Sequence, residues 1–239
     1  DQVLVDAGCG TGLYSDAFVN EVKCIEAVDL NAGMLSMAQA KMKAEEKSGR
    51  IRFHETKIDS LPLENESVDA VMLNQVLHHL PDNAADGWPA HANVFCEFFR
   101  VLKPGGCLII NSCSPEQLEK GFWFYHLIPD AIRAVQEKTI GIDTLANQLK
   151  IIGFSETRQE VPLDLMLQDE AYFRADGILD PDWRRGDSIW SLVEEKTLVD
   201  VLETVSDLKQ NGKLEPFMQQ HDQARKTCGQ VTFTITRKH

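Results

Sequence analysis

The chain has 239 residues, 43% hydrophobic and 26% charged, a balance that suits a globular protein with a sizeable core. Its net charge of −13 argues against a nucleic-acid backbone or an anionic membrane as the main partner, because both would repel it. No apolar stretch approaches the roughly 20 residues that span a bilayer, and no signal-peptide pattern is visible, so a cytoplasmic location is expected.

The chain opens on Val3–Asp6, an apolar run that predicts a buried strand. Gly8, Gly10 and Gly12 follow at alternate positions, a turn whose backbone can approach a ligand closely because it carries no Cβ. Leu13–Val22 reads as a short amphipathic helix, so a ligand over the turn would meet a helix N-terminus. Further strands are expected at Cys24–Asp29, Ile51–Glu55, Val68–Asn74, Cys107–Ser112 and Glu156–Val161. Between them, helical spacing runs through Ala32–Glu46, Trp88–Leu102 and Ile142–Ile152, with Lys103-Pro104-Gly105-Gly106 as a turn before the fifth strand. Strand and helix alternate, which predicts an α/β fold: a mainly parallel sheet with helices on both faces. Pro162–Gly229 is acid-rich, aromatic and helical, with an apolar face over Ser191–Gln210, and Val231–Ile235 is a last strand. The expected organisation is a core over 1–161, a helical insertion or lid over 162–229, and a returning strand over 230–239. A central strand at the very start also suggests that a segment normally precedes it.

The six cysteines form no C-x-x-C pair, and no metal site is expected from them. Free thiols in a reducing compartment are the simpler expectation.

The chemistry concentrates at predicted carboxyl ends of strands, where open α/β sheets bind ligands. Asp6 ends the first strand. Asp29 ends the second, where a carboxylate could accept hydrogen bonds from two ribose hydroxyls. Asp59 follows the third strand, where it could accept from the exocyclic amino group of adenine. Asn74 and Gln75 close the fourth, followed by His78 and His79. The spacing G-x-G-x-G differs from the dinucleotide G-x-G-x-x-G and weakens a nicotinamide dehydrogenase reading.

Five segments in order, Val5 to Gly12, Val28 to Asn31, Ile58 to Pro62, Val76 to Leu80 and Leu102 to Gly106, resemble the motifs of class I S-adenosylmethionine-dependent methyltransferases. The resemblance covers roughly residues 1–161 and the last strand. It implies a Rossmann-like seven-stranded sheet with the last strand antiparallel. It also implies S-adenosyl-L-methionine as cofactor, S-adenosyl-L-homocysteine as product, and these site residues. Asp6 orders the turn and the methionine amino group. Ala7, Gly8, Cys9, Gly10 and Gly12 bring backbone to the methionine moiety. Asp29 takes the ribose, Leu30 flanks adenine, and Met34 packs nearby. Asp59 takes the adenine amino group, with Ile58 and Ser60 beside it. Asn74 and Gln75 line the methionine end.

Transfer of a sulfonium methyl depends mostly on alignment, and a base is needed only if the acceptor must lose a proton. His78 and His79 are the candidate bases, although a histidine there can equally serve as a loop hydrogen-bonding group. For the acceptor, His79, Trp123, Tyr125 and Tyr172 are candidate binding residues. The run Phe122 to His126 could wall an apolar pocket or dock into a core. The loop after the fourth strand lacks the cysteine of arsenite methyltransferases and the Pro-Pro motif of DNA amino-methyltransferases. A small organic acceptor methylated at O, N or C is therefore expected. A cofactor-binding regulatory protein without turnover is the alternative.

Overall fold

The computed structural model describes residues 2–239. In chain order, the elements begin with β1 (Val3–Ala7), α1 (Leu13–Phe18), β2 (Cys24–Asp29), α2 (Ala32–Lys41), α3 (Lys43–Lys47) and β3 (Ile51–Glu55). Then come β4 (Val68–Asn74), α4 (Pro89–Val101), β5 (Leu102–Ser112), α5 (Pro115–Lys120), α6 (Pro129–Gln136), α7 (Ile142–Ile152) and β6 (Arg158–Glu160). The chain ends with α8 (Pro181–Arg185), α9 (Glu195–Gln210), α10 (Leu214–His221), α11 (Arg225–Cys228) and β7 (Thr232–Arg237).

Two compact units result. The first takes the chain up to Ser112, residues 142–159 and residues 233–239. Its sheet has the order β3-β2-β1-β4-β5-β7-β6, parallel from β3 to β5 and antiparallel across β5-β7-β6. Val5, Ala7, Ile25, Ala27, Val28, Val71 and Leu73 are fully buried. Strands covered on both faces read as apolar runs, which is why they were legible. From β1 the chain moves outward to β2 and β3, then returns to place β4 on the other side of β1. The carboxyl ends of β1 and β4 thus border a topological switch point, the place where open α/β sheets hold ligands.

Several boundaries shift for local reasons. The long helix expected over Ala32–Glu46 breaks at Met42, whose φ of −109° and ψ of 34° leave the helical region while its side chain is buried. The Lys103–Gly106 turn is absorbed into β5. Gly105 N–H donates to the Lys238 carbonyl (2.8 Å) and Lys238 N–H to the Gly106 carbonyl (3.0 Å), so the segment is paired just beyond the end of β7. The helix expected from Ser191 starts at Glu195, after a 3-10 turn over Ser188–Leu192.

The second unit takes residues 113–141 and 160–232. This corrects the expected boundary: residues 113–141 fold with the insertion. The aromatic run decides it. Phe122, Trp123, Phe124 and Tyr125 are buried in one cluster with Tyr172, Ile178, Trp183, Trp190, Val201 and Val205. Burial of each large apolar side chain is worth about 1.5–3 kcal/mol. Phe124 packs edge-on against Tyr172 and Trp183, with centroids 5.9 and 5.1 Å away. The run therefore needs the insertion as its partner.

Candidate functional site

The glycine turn is fixed from below and from the side. Gly8 and Cys9 N–H groups both donate to the Val28 carbonyl, at 2.7 and 2.9 Å. Gly10 N–H donates to Asp29 Oδ2 and Asn31 N–H to Asp29 Oδ1, each at 2.8 Å. One carboxylate at the end of β2 thus ties the turn after β1 to the start of α2. Asn31 Oδ1 in turn caps α2 by accepting from Met34 N–H (3.1 Å). Gly8 has φ 76°, and a Cβ on it would lie 2.4 Å from Val76 Cγ2. The backbone there can turn and stay open only without a side chain.

Asp6 is buried, and Ser15 Oγ donates to its Oδ2 at 2.6 Å. Burial raises its pKa to about 6; the Ser15 hydrogen bonds oppose the shift and the nearby Asp29 charge adds to it. Asp6 therefore anchors the start of α1. Cys9 packs its side chain into the core with Leu4, Ile25 and Ala27, and burial pushes its thiol up to about 12. Only its backbone is available to the turn. Leu30 and Met34 are exposed apolar side chains beside the turn, and Met34 Cε lies 3.1 Å from where a Gly10 Cβ would be.

After β3, Ile58 is half-buried and Asp59 and Ser60 are exposed. Their loop is held by two residues of α4. Leu61 N–H donates to Glu97 Oε1 (2.6 Å), and Arg100 donates to the Leu61, Leu63 and Asn65 oxygens at 3.2, 2.8 and 2.8 Å. Arg100 also pairs with Glu97 and holds that carboxyl below its ordinary range.

At the end of β4, Asn74 and Asn111 stand in register on neighbouring strands. Gln75 adopts the left-handed φ of 54°. Its N–H donates to the Asn111 carbonyl (2.9 Å) and its Nε2 to Asn111 Oδ1 (3.1 Å). Asn111 Nδ2 reaches Tyr14 Oη of α1 at 3.5 Å. Asn74 Nδ2 is buried with no hydrogen-bond partner among the described residues. His78 and His79 form a 3-10 turn with ring centroids 4.0 Å apart. Burial lowers the His78 pKa to about 4, assisted by His79. His79 is exposed as a residue, but partial desolvation of its ring lowers its pKa as well, against the pull of the Asp29 carboxylate. Beyond them, Asp82 accepts from both the N–H and Nδ1 of His91, each at 3.0 Å, and ties this loop to α4.

The expected cofactor residues thus gather on the carboxyl edge of β1, β2, β3 and β4. Of the expected acceptor residues, His79 lies in the first unit, and Trp123, Tyr125 and Tyr172 lie in the second. Trp123 and Tyr172 are fully buried, and Trp123 Nε1 donates to the Tyr172 carbonyl at 2.9 Å. Tyr172 donates to Asp222 (2.6 Å) and Tyr125 to Asp187 (2.8 Å). All three belong to the core of the second unit instead of an open wall. Sequence reasoning missed Tyr14, Asn111, Glu97, Arg100, Asp82 and His91. Only Asn111 left a signal, as a polar residue near the end of a central strand. Among the described residues, no three His, Cys, Asp or Glu side chains form a metal cluster, and no helix is long and apolar enough to cross a membrane.

Comparison with known proteins agrees with this geometry. The methyltransferase domain family matches residues 5–110. Over 118 residues, 49% of this chain, the sequence is 30% identical to the malonyl-[acyl-carrier protein] O-methyltransferase of Yersinia pestis; the match covers 39% of that relative's length. A solved structure from Anabaena variabilis, described as a methyltransferase from an antibiotic biosynthesis pathway, aligns with a TM-score of 0.79 at 19% identity, covering 98% of this chain and 90% of its own. The [4+2]-cyclase SpnF aligns with a TM-score of 0.55 at 16% identity, covering 99% and 75%. At these identities the two structures speak to the fold alone. Residues 5–110 thus match a methyltransferase domain, and the strand order of the sheet is that of a Rossmann-like methyltransferase fold.

Proposed function

We propose that this chain binds S-adenosyl-L-methionine and moves its methyl to an O, N or C atom of a small organic acceptor, as a transferase of the cytoplasm. The observation that carries this reading is the glycine turn tied to Asp29 at the switch point, with a cradle at Gly8 that a Cβ would fill. The residues present suit the cofactor. Asp29 spends one hydrogen bond per oxygen on backbone and keeps lone pairs for ribose hydroxyls. Leu30 and Met34 offer apolar surface for adenine, and Asp59 is exposed to receive its amino group. Asp6 offers a buried carboxylate toward the methionine amino group, and Asn74 and Gln75 border the methionine end.

When bound, S-adenosylmethionine supplies an electrophilic methyl and leaves as S-adenosylhomocysteine. The protein's own task is alignment and exclusion of water. If the acceptor must lose a proton, His79 suits the role better than His78, because a pKa near 4 makes His78 a weak base at neutral pH. The acidic surface favours a small acceptor over nucleic acid.

Calorimetry with S-adenosylmethionine tests binding, and methyl-labelled cofactor added with a metabolite extract tests transfer. Saturable binding and one labelled product are expected; absence of binding overturns the reading. The second reading of the same site is a regulatory protein in which the glycine turn binds the cofactor and no methyl moves. Binding without label transfer would select it.

A further inference from the structure

Three neutral side chains, Gln75, Asn111 and Tyr14, form a directed hydrogen-bond chain at the carboxyl ends of β4 and β5. Gln75 Nε2 donates to Asn111 Oδ1, at 3.1 Å. That bond turns the Asn111 carboxamide so that Nδ2 faces Tyr14 Oη, at 3.5 Å. Asn111 is buried, so its carboxamide has little freedom to turn elsewhere. With its oxygen approached by a donor, Tyr14 keeps its own O–H to give away. Among the described residues none accepts it. Beside this chain, in register with Asn111, Asn74 holds a second donor, a buried Nδ2 with no partner among the described residues. A buried donor without an acceptor is costly, and its persistence at a ligand cleft points to an acceptor that arrives with the ligand.

The electrostatics narrow what arrives. Burial raises the Tyr14 pKa and the Asp6 charge raises it further, so the phenol stays protonated in a locally negative field. Among the described residues, no lysine or arginine hydrogen-bonds to Tyr14, Asn74 or Asn111. Neutral donors under a negative field suit a neutral oxygen and disfavour a carboxylate or phosphate.

The position narrows the source. Asp29 and Asp59 draw the adenosine toward β2 and β3 on the proposed reading, while Asn74 ends β4, on the other side of β1, and the Tyr14 hydroxyl reaches Asn111 of β5. We propose that Tyr14, together with Asn74 where the methionine end meets the acceptor, binds the acceptor: their donors hold a carbonyl or hydroxyl oxygen of the small molecule, with Asn111 as the positioning residue that orients Tyr14. The inference rests on the proposed transferase function and adds to it the chemical class of the acceptor.

Tyr14→Phe keeps the ring and removes only the hydroxyl. Wild type and variant are compared by calorimetry with S-adenosylhomocysteine and with 5′-methylthioadenosine, which lacks the amino-acid tail. Both are also compared for label transfer from methyl-labelled S-adenosylmethionine in a metabolite extract. The expected result is S-adenosylhomocysteine affinity within about two-fold of wild type, label transfer down about ten-fold, and a labelled product carrying a carbonyl or hydroxyl oxygen. Weaker S-adenosylhomocysteine binding with unchanged methylthioadenosine binding would overturn the proposal, because the donor would then serve the cofactor's own carboxylate. Unchanged label transfer would overturn it too. A wild-type protein that binds no cofactor, or transfers no label, fails earlier and takes the transferase reading with it.

Discussion

Asp29 Oδ2 accepts the backbone N–H of Gly10 at 2.8 Å, so the residue expected to hold the ribose also holds the glycine turn. Its other oxygen accepts from Asn31 N–H, also at 2.8 Å. Asp29→Ala removes both tethers and the ligand contact in one step. Charge-assisted hydrogen bonds are each worth about 1.5–3 kcal/mol. Cofactor affinity should therefore fall at least ten-fold, by about 1.4 kcal/mol or more in calorimetry. Asp29→Asn, which keeps one acceptor, should fall between wild type and Asp29→Ala. Wild-type affinity in Asp29→Ala would remove Asp29 from the ribose role.

Gly8 and Val76 are coupled by shape. A Cβ at Gly8 meets Val76 Cγ2 at 2.4 Å and requires a left-handed φ of 76°. Gly8→Ala should destabilise the fold by about 2 kcal/mol or more, from the left-handed backbone and the clash together. The double variant Gly8→Ala, Val76→Ala should recover the clash and leave the backbone cost. Thermal unfolding of the three proteins measures this. Equal melting temperatures for the single and double variants would mean that backbone strain alone sets the loss.

The parts legible in the sequence were those whose physics is local. Val3 to Val5 and Val68 to Leu73 read as buried strands because parallel strands are apolar on both faces. The glycine turn and Asp29 share one β-α-β stretch, so their spacing carried the site. Tyr14 and Asn111 lie 97 residues apart and Leu61 and Glu97 lie 36 apart, and nothing local announces either pair. The aromatic run at Phe122 to Tyr125 stayed open between two readings for another reason. A pocket wall and a helical core use the same residues, and only the partners, Tyr172 and Trp183, tell them apart.

Asp6 and His78 give opposite pH signatures. Asp6 titrates near 6 in the fold against an ordinary 3.8, so the folded state binds the extra proton between those values. Stability from this group is greatest below about pH 4 and is lost as pH rises through 6, by about 3 kcal/mol in all. His78 titrates near 4 against 6.5, so its contribution is present above pH 6.5 and is lost as pH falls toward 4. Wild type minus Asp6→Asn should show melting temperature rising as pH falls from 6 to 4; wild type minus His78→Gln should show it falling. A cationic cofactor favours ionised Asp6, so its affinity should rise from pH 5 to 7 in wild type and stay flatter in Asp6→Asn. A flat difference curve for Asp6→Asn would place that carboxyl in an ordinary environment.

His79 is exposed, and His78 is half-buried with its ring against it. His79→Ala should leave cofactor affinity within about two-fold, since an exposed side chain that hydrogen-bonds to none of the described residues has little to lose. If the acceptor gives up a proton to His79, label transfer should fall about 10²-fold or more. Large loss of cofactor affinity would instead assign His79 a structural role in the turn over Leu77–His79.

Arg100 holds the Asp59 loop at a distance. It donates to Leu61, Leu63 and Asn65, while Glu97, which it pairs with, accepts from Leu61 N–H. Asp59 and Ser60 themselves are exposed, so α4 supplies the rigidity that their own segment lacks. Arg100→Ala leaves the Leu63 carbonyl to water and frees the loop, which should weaken binding of the adenosine part about three- to ten-fold. The loss should appear equally for S-adenosylhomocysteine and for 5′-methylthioadenosine, because both carry the adenine that Asp59 is expected to meet. Arg100→Lys should restore little, since one ammonium cannot span three oxygens as a guanidinium fork does. Loss confined to S-adenosylhomocysteine would move the role of this loop from the adenine to the methionine end.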